Sequence, residues 1–398
     1  MHNRYLEPGG EDEVVRAESE LLRQHGCTVT LVAEQVKKPE TVIQEGGLAV
    51  SAIWSPTWYD KFRALLRDTK PNAVHVHNFF PNISPSLYYA AAERNIPVIQ
   101  TLHNYRLFCP EKTFFRSGRV CEDCVKHSLW RSVAHGCYRN SRCGTAAVAL
   151  MLAVHRCLRT WTRRVDCYVV PTEFSRQKFV AAGLPARKIV VKPNFVSHDP
   201  GLRVGMGSGA LFVGRLSAGK GVRTLISAWT HLGNRIPLDV VGDGPLLKEL
   251  EQQVAVNRLS NISFLGRLTG DEVRSRLKRA RFLIVPSEFY ETFGLSIVEA
   301  FACGVPVIAS RHGAMEEIVD DGRTGLHFTP GNPQDLAAKA KWAWTHEAEM
   351  DIMGHNARNE YEAKYTPDQN YRMLMDIYRQ AIRSRGAEYD VPALTSLT

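Results

Sequence analysis

Short apolar runs alternate with helical stretches along nearly the whole chain, and this alternation restricts the fold more than any other feature. Runs rich in Val and Ile occupy residues 29–33, 74–77, 98–102, 167–171 and 189–192, and similar runs begin near 210, 238 and 282. Strands that are separated by helices pair in parallel, in sheets that the helices cover. The sequence therefore predicts an α/β protein.

The length of the chain predicts two domains. Its 398 residues are too many for one ordinary core. Between residues 197 and 208 the periodic pattern lapses, and Gly, Asp, Ser and Pro concentrate. We therefore expect a first domain at 1–198, a second at 209–365, a helical segment at 366–384 and a loose tail at 385–398.

Composition is that of a globular protein, with 44% hydrophobic and 23% charged residues. No run reaches the ~18 uninterrupted apolar residues of a membrane-spanning helix. No cleavable signal pattern opens the sequence. We therefore predict a cytoplasmic location, either in solution or peripherally at the inner face of the membrane.

Two carboxylates, Glu291 and Glu299, flank a predicted strand-to-helix junction. The following helical run ends at Gly304 and Pro306, which are typical helix terminators. Unpaired N–H groups at the start of this helix form an anion site that suits a diphosphate. Glu299 would then accept hydrogen bonds from ribose hydroxyls, and Glu291 would reach a sugar. The candidate donor-binding residues between them are Thr292, Phe293, Gly294 and Leu295.

Two more loops follow apolar strands and carry candidate ligand groups. Arg215 and Lys220, five residues apart, would face a departing diphosphate, because fixed cations stabilise the charge that develops on a leaving oxygen. The second loop follows the strand near 238 and lies where doubly wound sheets present ligand loops. Its candidate residues are Gly242, Asp243 and Gly244.

Taken in this order, the three segments resemble the C-terminal domain of bacterial retaining glycosyltransferases of family 4, also called glycosyl transferases group 1. This resemblance implies the GT-B fold: two facing Rossmann-like domains with parallel sheets, and a last helix, here at 370–382, that crosses back to the first domain. It also implies a nucleoside-diphosphate sugar as donor and transfer with retention of anomeric configuration. We expect no catalytic metal, because the two cations and the helix N-terminus already supply positive charge.

The resemblance extends to the first half of the chain. Pro8, Gly9 and Gly10 are similar to the family's N-terminal glycine loop, which approaches the donor phosphates. The strands that end near His77 and His103 should open onto the same cleft, and the family position that matches His103 contacts the donor sugar. The implied catalytic residues are His103, Arg215, Lys220 and Glu291. The family has a complete strand before the position of His2, so we expect that the biological start lies upstream of Met1.

A basic segment at 104–165 carries twelve Lys or Arg against three Asp or Glu, which equals the formal net charge of +9 for the whole chain. This charge suits an anionic acceptor, such as a lipid-linked saccharide phosphate, or an anionic membrane surface. The helix predicted at 145–165 either lies in a bilayer interface or is a core helix with a solvated basic end. Its relevant residues are Arg156, Arg159, Trp161, Arg163 and Arg164.

Four cysteines in the basic segment have a spacing compatible with a closed, structural zinc site: Cys109, Cys121, Cys124 and Cys137. In an oxidising compartment the same thiols could form disulfides, so the cytoplasmic prediction favours zinc. Two other functions remain open at this point. One is a nucleotide-sugar epimerase of the same fold, and the other is a nucleic-acid-binding protein that uses the basic Cys-rich segment. The sequence offers no recognition helix or stacking motif, so we expect no nucleic-acid partner.

Overall fold

The computed structural model describes residues 1–4, 9–35 and 42–386. Two parallel α/β sheets follow one another along the chain. The elements of the first half are β1 His2–Arg4, α1 Gly10–Gln24, β2 Ala33–Gln35, α2 Val42–Ile53, α3 Pro56–Thr69, β3 Val74–Val76, α4 Ser86–Glu93, β4 Val98–Thr101, β5 Phe115–Arg116, β6 Arg119–Val120, α5 Asp123–Lys126, α6 Trp130–Ala134, α7 Arg142–Cys157, α8 Thr160–Arg163, β7 Cys167–Val170, α9 Glu173–Ala181 and β8 Ile189–Val191.

The second half has a similar alternation of strands and helices. Its elements are β9 Ala210–Val213, α10 Val222–Leu232, β10 Leu238–Val241, α11 Leu247–Val256, β11 Ile262–Gly266, α12 Gly270–Arg279, β12 Phe282–Val285, α13 Leu295–Ala302, β13 Val307–Ser310, α14 Ala314–Ile318, β14 Gly325–Phe328, α15 Pro333–Thr345, α16 Glu347–Lys364 and α17 Pro367–Arg383.

The first sheet is parallel, with strand order β3-β4-β7-β8. Strands β4 and β7 are buried along their whole length, as their continuous apolar composition requires. The β1–β2 pair joins the edge at β3, where Asn3 donates its backbone N–H to the carbonyl of Asn78 (2.8 Å). The strand expected at 29–33 begins only at Ala33.

The second sheet has six parallel strands in the order β11-β10-β9-β12-β13-β14. Because β9 and β12 lie at its centre, the loops that follow them open at the same edge of the sheet. At the opposite edge of the sheet, just before β10, the completely buried Trp229 of α10 donates its indole N–H to the carbonyl of Ile236 (2.8 Å). This contact closes the core at the edge away from the site loops.

The last helix returns to the first sheet, as expected for the GT-B fold. In α17, Tyr371 and Leu374 pack in one apolar cluster with Leu21 of α1. Further along α17, the hydroxyl of Tyr378 lies 2.8 Å from Nδ1 of His75 on β3. Residues 387–398, most of the expected loose tail, lie outside the described residues.

The helix predicted at 145–165 is wrong in one respect, because it is two helices. Helix α7 ends at Cys157, and Arg159, in a left-handed conformation with φ of 54°, separates it from α8. This break turns Trp161 into the core, where it is 4% exposed and packs beside Phe79 and Tyr88. Trp161 therefore cannot anchor the segment in a bilayer interface. In the part of the chain that the structure describes, no helix combines the length and apolarity needed to cross a membrane.

Candidate functional site

The predicted site residues of the two halves meet at a cleft between the sheets. The hydroxyl of Thr292, in the loop between β12 and α13, donates to the carbonyl of His103 after β4 (2.8 Å). The carbonyl of Thr292 in turn accepts from Thr172 (3.1 Å) and Ser175 (3.3 Å) at the start of α9. The loop that carries Glu291 is therefore held against the first half of the chain.

Lys220 and Glu291 form an ion pair at the floor of this cleft, with 2.5 Å between Nζ and Oε1. Ser287 donates to the same carboxylate oxygen (2.8 Å), and the Lys220 ammonium lies 5.4 Å from the ring centroid of Phe289. The lysine side chain is 31% exposed and the glutamate 14%. The ammonium is thus fixed in place but accessible to a bound anion.

The loops of Arg215 and of 242–244 are packed together. The backbone N–H of Gly214 donates to Val241 (3.0 Å), and that of Leu216 donates to Asp243 (2.9 Å). Gly242 has a φ of 137°, and a Cβ there would lie 1.9 Å from the carbonyl oxygen of Gly214. Because only glycine allows this close approach, Gly242 and Gly244 let the 242–244 loop pack directly against the backbone of the Arg215 loop.

Helix α13 begins at the end of the loop that carries Glu291, and its N-cap, Gly294, contributes no side-chain cap. Its first N–H groups therefore have no partner within the helix. Gly10, at the start of α1, lies opposite, since a Cβ there would be 3.8 Å from Cδ2 of Leu295. Asp12 holds the glycine turn by accepting the N–H of Gly9 (2.9 Å). Pro8 lies outside the described residues.

Glu299 is partly buried in α13, facing Arg274 and Glu13. Burial raises the pKa of Glu299 to about 7, against the opposing effect of Arg274. The carboxylate makes no hydrogen bond to the described part of the chain. A carboxyl group thus lies one turn from the N-terminus of α13, and its contact with ribose hydroxyls stays a prediction.

His103 is held inside the first half by a row of polar side chains. Its Nε2 lies 2.9 Å from Nδ1 of His77, and His77 lies 3.6 Å from Glu18, which pairs with Lys192 at 2.7 Å. Burial lowers the pKa of His103 to about 3 and that of His75 to about 4. These imidazoles are therefore neutral at physiological pH.

Among the described residues, one set brings three candidate metal-ligand atoms within 4.8 Å of one another: Glu18, His75 and His77. The ammonium of Lys192 already supplies a positive charge to Glu18, and both nitrogens of His75 have partners, Tyr378 and Thr101. These contacts explain the cluster without an ion.

The four cysteines of the basic segment are free thiols, and Cys109 and Cys124 are buried. Burial raises the pKa of Cys124 to about 12, with further contributions from Cys109 and Cys137. The thiols are therefore neighbours, but among the described residues they do not form a set with ligand atoms within 4.8 Å. The zinc site stays a prediction.

Three contacts across the cleft involve residues outside the site predicted from the sequence. The carboxylate of Glu317, after β13, accepts the N–H groups of Glu173 (2.8 Å) and Phe174 (2.7 Å) at the start of α9. From the basic segment, Phe115 on β5 contacts Phe289, with ring centroids 6.5 Å apart. The basic segment therefore borders the cleft. The sequence carried no spacing signal for these pairs.

Two family models match the chain in succession. Glycosyltransferase Family 4 matches residues 8–200, and Glycosyl transferases group 1 matches residues 204–360. An uncharacterised glycosyltransferase of Methanocaldococcus jannaschii is 38% identical over 170 residues, which are 43% of this chain and 47% of that protein. The chain thus spans about half the length of this curated relative.

Solved structures support the fold over nearly the whole chain. The sucrose-phosphate synthase of Thermosynechococcus elongatus has a TM-score of 0.70 at 19% identity, covering 96% of each chain. An Anabaena protein crystallised with UDP-glucose has a TM-score of 0.63 at 18% identity, covering 97% of this chain and 99% of its own. With both halves matched and the two-sheet architecture present, the chain belongs to glycosyltransferase family 4 and has the GT-B fold.

Proposed function

We propose that this protein transfers a sugar from a nucleoside-diphosphate sugar to a saccharide acceptor, with retention of anomeric configuration. The observation that carries the proposal is the convergence of the Lys220–Glu291 pair, the N-terminus of α13 and Gly10 on one cleft. Residues 209–365 bind most of the donor, and residues 1–198 supply His103, the glycine turn and the acceptor site. The UDP-glucose complex of the Anabaena protein supports a donor of this class.

In this proposal the diphosphate binds to Arg215, Lys220 and the N–H groups that begin α13. The acceptor hydroxyl attacks the anomeric carbon on the face from which the phosphate leaves. The bond from that carbon to the phosphate oxygen breaks as the new glycosidic bond forms, and the departing phosphate takes the hydroxyl proton. The fixed cations stabilise the negative charge on the leaving group as it develops.

Glu291 does not serve as a covalent nucleophile in this route. Its carboxylate is bound by Lys220 and Ser287, and these contacts lower the nucleophilicity of a carboxylate by stabilising its charge. Glu291 instead orients the lysine and accepts from a hydroxyl of the donor sugar. The ribose hydroxyls of the donor lie at Glu299, and the neutral His103 contacts the transferred sugar.

The test is to replace Lys220 or Glu291 by Ala. Each change should lower the rate by about 10²- to 10³-fold, the effect of losing one preorganised electrostatic group. Arg223→Ala is the matched control, because it also removes a cation, here from an exposed ion pair with Glu249 (2.6 Å). Full activity in both cleft variants would refute these roles, and NMR of the product tests retention.

The nucleotide is identified by thermal stabilisation with UDP, GDP, ADP and their sugars. A ligand at 100 times its Kd adds about 2.7 kcal/mol to the stability of the folded state. If no nucleotide in the panel shifts the melting temperature and calorimetry detects no heat of binding, the proposed donor site is wrong.

We propose further that the acceptor is anionic, such as a lipid-linked saccharide phosphate. Arg106 in the basic segment has its guanidinium 4.7 Å from the ring centroid of Phe80 and donates to the carbonyl of Pro110 (2.6 Å). Basic and apolar side chains also share an exposed surface on α7 and its end, where Leu150 and Leu158 are 45% and 55% exposed beside Arg156. This composition fits peripheral binding to the inner face of a membrane. Flotation with anionic liposomes tests it, and absence of binding at low salt would refute it.

A structural zinc ion at Cys109, Cys121, Cys124 and Cys137 completes the proposal for the basic segment. Burial raises the pKa of the Cys109 thiol, and the backbone N–H groups of Phe114, Glu111 and Lys112 oppose this rise, as partners that stabilise a metal-bound thiolate would. Binding would draw the four sulfurs together. Elemental analysis of protein purified without chelator should give one zinc per chain, and Cys124→Ser should lose it. If removing metal from the wild-type protein leaves its melting temperature unchanged, a structural zinc ion is excluded.

A further inference from the structure

Among the residues that the structure describes, His77 is the side chain that hydrogen-bonds to the ring of His103. Nδ1 of His77 lies 2.9 Å from Nε2 of His103, and the two rings are within 17° of parallel with centroids 5.2 Å apart. The two residues follow adjacent parallel strands, β3 and β4, whose register pairs Val76 with Gln100. The His77 side chain is only 7% exposed. The partner of His103 is therefore fixed by the sheet.

The direction of this hydrogen bond follows from the next residue in the row. Burial also lowers the pKa of His77 well below its usual value, so both rings are neutral. One nitrogen must therefore donate and the other must accept. Nε2 of His77 lies 3.6 Å from Oε2 of Glu18, and this oxygen accepts no hydrogen bond from any described residue. A carboxylate can only accept, so it favours a proton on Nε2 of His77. Nδ1 of His77 is then the acceptor, and His103 donates from Nε2.

Glu18 can serve this purpose only if it is ionised. Burial acts to raise the pKa of Glu18, but the ammonium of Lys192, 2.7 Å away, is the main opposing charge, and this pKa lies below its usual value. Lys192 itself is 1% exposed. Lys192, Glu18, His77 and His103 therefore form one continuous polar row from the end of β8 to the cleft.

We propose that His77 is a positioning residue that fixes His103 as the tautomer with its proton on Nε2, which leaves Nδ1 as a hydrogen-bond acceptor for a hydroxyl of the donor sugar. Nδ1 of His103 makes no hydrogen bond within the described ranges of the chain. The inference rests on the proposed function in one respect, the contact between His103 and the donor sugar. The tautomer itself is a property of the protein without any ligand.

The first test is NMR of protein labelled with ¹⁵N-histidine, recorded without donor and assigned with His103→Gln. His103 should show one neutral tautomer with the proton on Nε2, and His77→Ala should convert this signal to a mixture of tautomers. A His103 signal from the opposite tautomer, or one that His77→Ala leaves unchanged, would overturn the proposal. This readout does not depend on turnover, so it separates failure of the inference from failure of the proposed function.

The second test is kinetic and uses the nucleotide sugar that most stabilises the protein in a panel of UDP-glucose, GDP-mannose and ADP-glucose. His77→Ala should lower kcat/KM by about 10-fold or more, the scale for losing a partner that orients a site residue. His77→Asn, which retains an acceptor near the position of Nδ1, should restore most of the loss. Equal losses in both variants would contradict a positioning role.

His155→Asn is the matched control. His155 on α7 is a fully buried histidine of the same half, and its ring nitrogens contact Thr160 (2.9 Å) and the carbonyl of Ile53 (2.8 Å) instead of His77 or His103. The variant should change the melting temperature without changing the tautomer of His103. If His155→Asn alters the His103 signal as much as His77→Ala does, the effect is one of general packing and the proposal fails.

Discussion

Replacing Glu299 by Gln should stabilise the protein at alkaline pH while weakening donor binding. Burial raises the pKa of this carboxyl from 4.5 to about 7, which corresponds to about 3 kcal/mol between its two protonation states. This value is an upper limit, because the side chain keeps some contact with solvent. The pKa of Glu299 is raised in the folded protein. The contribution of this carboxyl to stability is therefore complete below about pH 4.5 and is lost as the pH rises through 7.

The assay compares melting temperatures of the wild type and Glu299→Gln between pH 5 and pH 8.5. Because Gln does not titrate, the melting temperature of the variant should rise relative to that of the wild type as the pH rises. The effects of all other titratable groups cancel in this difference. At about 2–4 °C per kcal/mol for a domain of this size, the gain should reach several degrees. Glu251→Gln, at an exposed glutamate on α11, is the control for replacing a glutamate by glutamine.

Donor binding should change in the opposite direction. A carboxylate that accepts from two ribose hydroxyls contributes more than an amide, so the Kd of Glu299→Gln should rise about tenfold at pH 8. A melting difference that is constant from pH 5 to 8.5 would refute the burial argument. Unchanged donor affinity would refute the assignment of Glu299 to the ribose.

Two further predictions concern the loops of the cleft. Gly242→Ala should lower the melting temperature and abolish the stabilisation by donor, because its Cβ would lie 1.9 Å from the Gly214 carbonyl oxygen. Gly233→Ala is the control for the loss of a positive-φ glycine, since the space around its Cβ is open. Glu317→Gln removes one of two hydrogen bonds to the start of α9, about 1 kcal/mol, and should raise the donor Kd several-fold in calorimetry. An equal effect from the exposed Glu316→Gln would contradict this explanation.

Much of the fold could be predicted because its signals are local. A parallel strand buried on both faces reads as a short apolar run, and the runs at 74, 98, 167 and 189 begin at or within a residue of the strands observed. The helix after Glu291 was equally readable, since Gly304 ends it. The break at Arg159 was not, because it depends on burying Trp161 against residues distant in sequence.

The site was predictable where one loop carries several of its groups. The Lys220–Glu291 ion pair joins two loops that were each selected, but their direct contact depends on the packing of β9 against β12. His77 was readable in principle, because the strands before it and before His103 are neighbours in a parallel sheet. Glu317 and Phe115 were not, since their contacts form only when the two sheets face each other.

The polypeptide passes between its two halves twice, and the two passages touch. The backbone N–H of Val196 donates to the carbonyl of Tyr365 (3.1 Å), and Asn370 donates to the carbonyl of Pro193 (3.0 Å). Two hydrogen-bonded connections between the halves permit rotation about one hinge axis and oppose translation of one half against the other. Each opening of the cleft would therefore bend the same few peptide units, and the two halves would always return in the same alignment.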